Sequence, residues 1–176
     1  LDVSKLTLLD KWILSKLNGV IKAVDEYLEN YKITEATRII QEFTDELSNW
    51  YVRRSRERFW ASELTEDKVC AYMTLYTVLT EFSKVCAPFI PFMSEMIYRN
   101  LVINVDKNAP ESIHLCDFPK ANPAFDFAEI EEEMDAARKI VILGRACRNA
   151  ANTKNRQPIA KIYVQTKTDI DEVYKN

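Results

Sequence analysis

Glycine is nearly absent from this chain: Gly19 and Gly144 are the only two in 176 residues. Most tight hairpins and many sharp turns need a residue that enters positive φ without steric cost, and glycine is the usual supplier. A sequence this poor in glycine is suited to long helices joined by few sharp turns. Hydrophobic patterning agrees. Leu9, Trp12, Ile13, Leu17, Val20, Ile21, Val24, Tyr27 and Leu28 recur at three- and four-residue spacing, the mark of one buried helical face, with Thr7 placed to cap the start.

The same spacing marks further helices. After a short loop through Asn30 and Tyr31, Thr34 reads as a second N-cap, followed by Ala36, Ile39, Ile40, Phe43, Leu47 and Trp50. A third helix carries Val69, Tyr72, Leu75, Tyr76, Leu79, Phe82 and Cys86 and stops near Pro88, because proline disfavours helix in the residue before it. Pro91 suits the first turn of a fourth helix, through Met96, Ile97, Tyr98 and Leu101. Residues 102–126, with Pro110, Pro119 and Pro123, read as an irregular connector. A fifth helix runs from Asp126 to about Ala151, and Ile159–Val164 after Pro158 has the look of a short strand. The expected fold is therefore all-α: a bundle of about five amphipathic helices, with a short C-terminal strand beginning another module. The domain boundaries expected are 1–156 for the bundle and 157–176 for a linker or the start of that module.

Formal net charge is -3, from 24 basic and 27 acidic residues, which taken alone argues against nucleic acid. The distribution argues otherwise. Glu42, Asp45 and Glu46 give way along the second helix to Arg53, Arg54, Arg56 and Arg58, interleaved with Trp50, Tyr51, Phe59 and Trp60. Cations near a helix C-terminus complement the macrodipole, but this density exceeds what capping requires. Guanidinium forks bind phosphates and aromatic faces stack on unpaired bases, so interleaving the two suits single-stranded RNA loops. At 100° per residue the apolar stripe runs into Arg54 and Arg58, and an arginine in line with a buried face is costly unless paired. Arg54 is expected to be such a paired, partly buried group, with Asn49, Arg53, Arg56 and Trp60 on a polar face alongside. The fifth helix repeats the change of sign. Glu129, Glu131, Glu132, Glu133 and Asp135 crowd its start, whereas from residue 136 to 161 only basic charges occur, among them Arg145, Arg148, Lys154 and Arg156. Gly144 beside its stripe would permit another backbone to come close. If the two basic ends met they would form one electropositive patch on an acidic protein.

Catalytic signatures are absent: no glycine-rich phosphate loop, no histidine paired with carboxylates, no nucleophile set beside the lone His114. Consecutive Glu131, Glu132 and Glu133 point in different directions around a helix and read as a solvated face. Cys70, Cys86, Cys116 and Cys147 lack the tight pairing of zinc ligands and read as buried free thiols in a reducing cytoplasm. No apolar run approaches the ~20 residues of a membrane span, and a chain opening on Leu1 with no signal peptide reads as a piece of something longer.

Several segments carry a family resemblance. Residues 10–18, Asp10-Lys11-Trp12-Ile13-Leu14-Ser15-Lys16-Leu17-Asn18, resemble the opening of the anticodon-binding domain in class I synthetases for branched aliphatic amino acids. Leu47-Ser48-Asn49-Trp50-Tyr51-Val52-Arg53-Arg54-Ser55-Arg56 with Arg58-Phe59-Trp60 is similar to the isoleucyl member, in particular its archaeal and eukaryotic-like type. Ala87-Pro88-Phe89-Ile90-Pro91-Phe92, then Glu111 to Leu115, Gly144-Arg145-Ala146, Arg148-Asn149 and Arg156-Gln157-Pro158 follow in the same order, so the resemblance spans roughly residues 8–164. It implies docking of an isoleucine tRNA by its anticodon stem-loop. It further implies no chemistry and no cofactor in this stretch; ATP with magnesium, zinc and editing belong elsewhere in a cytoplasmic parent enzyme. By position it implies Asn49, Trp50, Arg53, Arg54, Arg56 and Trp60 as first candidates for tRNA contact, and Arg145, Arg148, Asn149, Lys154 and Arg156 as second. A monomer is expected. The rival readings are a helical protein-interaction module, with the arginine–aromatic cluster as a protein hot spot, and the valyl or leucyl counterpart.

Overall fold

The computed structural model describes residues 2–165, and among them the regular structure is helical throughout. Six α-helices follow in order: α1 Leu8–Glu29, α2 Ile33–Asp45, α3 Arg56–Trp60, α4 Glu66–Cys86, α5 Pro91–Tyr98 and α6 Ala128–Ala150. Two π-helical turns, Glu46–Val52 and Arg99–Ile103, continue α2 and α5. The chain divides into two compact units, Leu1–Phe127 and Ala128–Asn176.

In the first unit, α1 packs against α2 and α4, and α4 in turn against α3 and α5. The core is the periodic face of α1 (Trp12, Ile13, Leu14, Leu17, Val20, Ile21, Val24) set against Phe43, Leu47 and Tyr51 on one side and Ala71, Val78, Phe82 and Val85 on the other. The Phe43 and Phe82 rings meet at 4.7 Å, tilted by 58°. Thr7 caps α1 as expected, in a reciprocal box with Asp10. Thr34 does not cap α2. α1 ends with Tyr31 in the left-handed region (φ 57), its N–H on Leu28 O and the N–H of Lys32 on Tyr27 O. This Schellman closure lets the chain re-enter helix at once, so Lys32 is the cap position and Thr34 already lies inside the helix, as does its neighbour Ile33.

The proline-bearing connector is tied down by buried polar groups. Asn18 accepts from the N–H of Asn122 (3.0 Å) and donates to its carbonyl (2.6 Å), while Ser15 Oγ accepts from the N–H of Phe127 (3.0 Å). Near α5, Glu95 accepts from Ser112 Oγ and Ile113 N–H, both at 2.9 Å, and the Tyr98 hydroxyl donates to Pro110 O (3.0 Å). Tyr98 and Ile113 then form a small core of their own with Ala87.

In the second unit, α6 ends on another Schellman closure. Asn152 takes the left-handed position (φ 51), its N–H on Asn149 O and the N–H of Thr153 on Arg148 O. Asparagine tolerates that conformation better than most residues. The strand expected at Ile159–Val164 does not form among the described residues. An extended segment becomes a strand only by pairing its backbone with another, and none of the described residues offers an edge. Gly144 is not a site of close approach either, since among the described residues nothing lies within 4 Å of where its Cβ would stand.

Candidate nucleic-acid interface

The π-turn decides which arginines face outward. A π-turn uses more residues per revolution than an α-turn. The buried positions therefore follow one another at intervals of four: Phe43, Leu47, Tyr51, Ser55. The N–H of Arg53 reaches back to Ser48 O, five residues earlier. An uninterrupted α-helix would have put Trp50 and Arg54 on the inner face, as the 100° spacing expects. The π-turn rotates them outward, so Arg54 is exposed rather than paired and partly buried, and among the described residues it joins no ion pair.

Two arginine–tryptophan pairs result. The Arg54 guanidinium carbon lies 4.9 Å from the Trp50 ring centroid, and that of Arg56 lies 5.2 Å from Trp60. Both pairs are four residues apart, the spacing that brings helical side chains together. Trp60 is 76% exposed and Trp50 half-buried. Arg53 is exposed, and neither it nor Arg56 joins an ion pair among the described residues. Asn49 is exposed as well, and its amide donates to Asp45 Oδ1 at 2.5 Å.

The half-buried arginine is Arg58, which the sequence flags as needing a partner. Its fork donates from Nη1 to Asp10 Oδ1 (2.9 Å) and from Nη2 to Asp10 Oδ2 (2.8 Å), while Nε and Nη2 also reach Asp67 (2.8–3.1 Å). Asp10 is fully buried and accepts in addition from the Tyr51 hydroxyl (2.7 Å), Thr7 Oγ1 (2.7 Å) and the N–H of Thr7 (3.1 Å). Burial alone would push the Asp10 carboxyl up. The hydrogen bonds from Arg58, Thr7 and Tyr51 outweigh it and hold the carboxyl below its ordinary value. Burial and the adjacent carboxylate push the Tyr51 phenol up, so it remains a donor. The sequence could suggest that Asp10 belongs to a capping box. It could not suggest that the same carboxylate takes an arginine 48 residues away, nor that Asp67 shares it.

The second basic run is arranged differently. Arg148 Nη1 donates to three carbonyls, Gln157 O (2.8 Å), Lys154 O (3.0 Å) and Asn155 O (3.4 Å), and so closes the loop that follows α6. Arg145, Asn149, Lys154 and Arg156 are exposed. Cys70 and Cys86 are buried free thiols, with the latter pushed up to about 12 by burial, whereas Cys116 is half-buried and Cys147 exposed, against the expectation that all four are buried. Among the described residues, no three His, Cys, Asp or Glu side chains gather where a metal ion could sit, and no helix is long and apolar enough to cross a membrane.

Residues 10–164 match the family described as the anticodon-binding domain of tRNA ligase. The chain is 60% identical over 160 residues to the isoleucine–tRNA ligase of Clostridium novyi (strain NT), which covers 91% of this chain and 15% of that protein. It is 57% identical over 160 residues to the enzyme of the same name from Clostridium tetani (91% and 15%), and 45% identical over 166 residues to that of Chlamydia caviae (94% and 16%). The chain thus spans about 15% of the length of the curated relatives it matches. These relatives are bacterial, so they lend no support to an archaeal and eukaryotic-like type.

Proposed function

The chain belongs to the family of anticodon-binding domains of tRNA ligases, and from that premise we propose that it docks the anticodon stem-loop of an isoleucine tRNA as one part of an isoleucine–tRNA ligase. The amino-acid assignment follows the names of relatives at 45–60% identity. In this reading the charging of tRNA with isoleucine at the expense of ATP belongs to the whole cytoplasmic enzyme, as do magnesium and zinc. This stretch contributes affinity and orientation as a monomeric unit, residues 1–156 forming the docking domain and 157–176 leading into the next module, where Ile159–Val164 can find a strand partner.

One observation supports the site most: Arg53, Arg54 and Arg56 stand outward with no carboxylate partner among the described residues, two of them stacked on tryptophans. Exposed guanidinium groups exchange counterions for phosphates, and indole faces stack on any unpaired base, so the pairing of both suits a loop rather than a duplex. Arg145, Asn149, Lys154 and Arg156 form a second contact in this reading, and Arg148 shapes the loop that presents two of them.

Titration with an isoleucine anticodon stem-loop at two salt concentrations, with a valine stem-loop as control, tests the proposal. Three phosphate contacts predict a slope of about −2 in log affinity against log salt, together with preference for the isoleucine loop. Salt-insensitive binding would favour a protein-docking module instead, and equal affinity for the valine loop would remove the amino-acid assignment.

A further inference from the structure

The helix that carries Arg56 and Trp60 is set apart from the one before it by a break at Ser55. α3 has five residues and is joined to the preceding π-turn by two backbone bonds, Ser55 N–H to Tyr51 O (2.9 Å) and Phe59 N–H to Ser55 O (3.1 Å). It has no side-chain cap: Ser55 is fully buried, and its hydroxyl has no hydrogen-bond partner among the described residues. Side chains on one face fix its direction beyond that break. Arg58 grips Asp10 on α1 and Asp67 on α4. Phe59 sets its ring 5.4 Å from Tyr72 and 6.4 Å from Tyr51, and the Tyr72 hydroxyl donates to Phe59 O (3.1 Å). The other face carries Arg56 and Trp60, stacked on each other.

We infer that Arg58 is a positioning residue for RNA: its ion pairs with Asp10 and Asp67 fix α3 before the ligand arrives, so that Arg56 and Trp60 are already placed to receive it. This rests on the reading of the preceding subsection. Arg58 itself touches no RNA. All three of its guanidinium nitrogens are engaged, and two carboxylates outweigh its single charge, so it adds nothing to the attraction of phosphates. What it contributes is preorganisation. Without it, the ordering of α3 and of two long side chains falls on the binding step, and affinity drops by about tenfold.

The experiment uses the whole chain with the isoleucine stem-loop, comparing Arg58→Lys, Asp67→Ala and Arg56→Ala with the parent by circular dichroism and by affinity at several salt concentrations. Lysine keeps the charge and loses the fork; Asp67 is half exposed and its loss leaves no buried charge unpaired. Expected are an affinity about tenfold lower for Arg58→Lys and about threefold lower for Asp67→Ala, with unchanged helical signal and an unchanged salt slope. Arg56→Ala, in contrast, lowers the slope by about one. Should Arg58→Lys fail to fold, Asp67→Ala decides. Parent-like affinity in the folded variants overturns the inference, and so does a slope that falls in Arg58→Lys, which would put Arg58 on a phosphate. If the parent itself does not bind, or Arg56→Ala binds as the parent does, the function reading falls with it. If only Arg56→Ala weakens binding, the inference alone is lost.

Discussion

Two stretches of this chain, residues 42–60 and 129–156, carry one sequence signature, acidic charge giving way to basic toward a helix end. Their arginines are put to different uses. In the first, a single arginine, Arg58, is consumed by two carboxylates, one of them buried, and Arg53, Arg54 and Arg56 are left outward, two stacked on indoles. In the second, Arg148 is consumed by backbone carbonyls and its neighbours are exposed, with no aromatic partner among the described residues. The macrodipole is common to both and does not separate them. The difference lies in the partner that immobilises the side chain. A buried carboxylate anchors a helix, a carbonyl cluster closes a loop, and an indole leaves the guanidinium accessible for a phosphate.

The comparison breaks most visibly at Asp10. Asp10→Asn leaves Arg58 with Asp67 as its one carboxylate and replaces a fully buried charge by an amide, and losing such a charge-assisted partner costs about 2 kcal/mol; denaturant melts will show the loss. The same variant sharpens the pH behaviour. Because the Asp10 carboxyl is held below its unfolded value, its stabilisation is full above the ordinary aspartate range and fades as pH falls through the lowered value. Below about pH 4, stability therefore falls more steeply in the parent than in Asp10→Asn. Arg148→Ala has a smaller effect, about 1 kcal/mol and confined to the loop, read as faster hydrogen exchange at Gln157, whose N–H is on Lys154 O. Smallest is Tyr31→Gly. It relieves a left-handed conformation worth ~1 kcal/mol, offset by the greater entropy glycine has in the unfolded chain. A net gain of about 0.5 kcal/mol in thermal melts is expected, and a loss would mean that the exposed ring is held by contacts of its own.

Much of this architecture is legible in the sequence because periodicity and capping are local. The α1 stripe, the Thr7 cap, the stop before Pro88 and the start at Pro91 all depend on neighbours within a few residues. What resisted reading depends on a change of period or on distant partners. The extra residues of the π-turn at Glu46–Val52 turn Arg54 outward and bring Tyr51 and Ser55 inward, a shift to which a constant 100° wheel is blind. The three-way contact of Arg58 joins α1, α3 and α4 across 48 residues, and only the fold supplies it. Thr34 fails as a cap because Tyr31, a residue with no special liking for positive φ, takes the position at which glycine is usual. Of the candidate site, residue types pointed to Arg53, Arg56 and Trp60, and these are exposed; Asn49, exposed but bonded to Asp45, and Arg148, held by carbonyls, look from sequence the same as their neighbours.

In this reading the outward arginines at 53 and 56 meet RNA phosphates while Arg58 stays out of reach. The most direct measurement is the salt dependence of stem-loop binding by Arg53→Ala/Arg56→Ala beside the parent. The double variant is expected to melt as the parent does, bind more weakly, and show a slope shallower by about 1.4. A double variant with the parent's affinity and slope would contradict it, and would make this face of the chain a solvated surface.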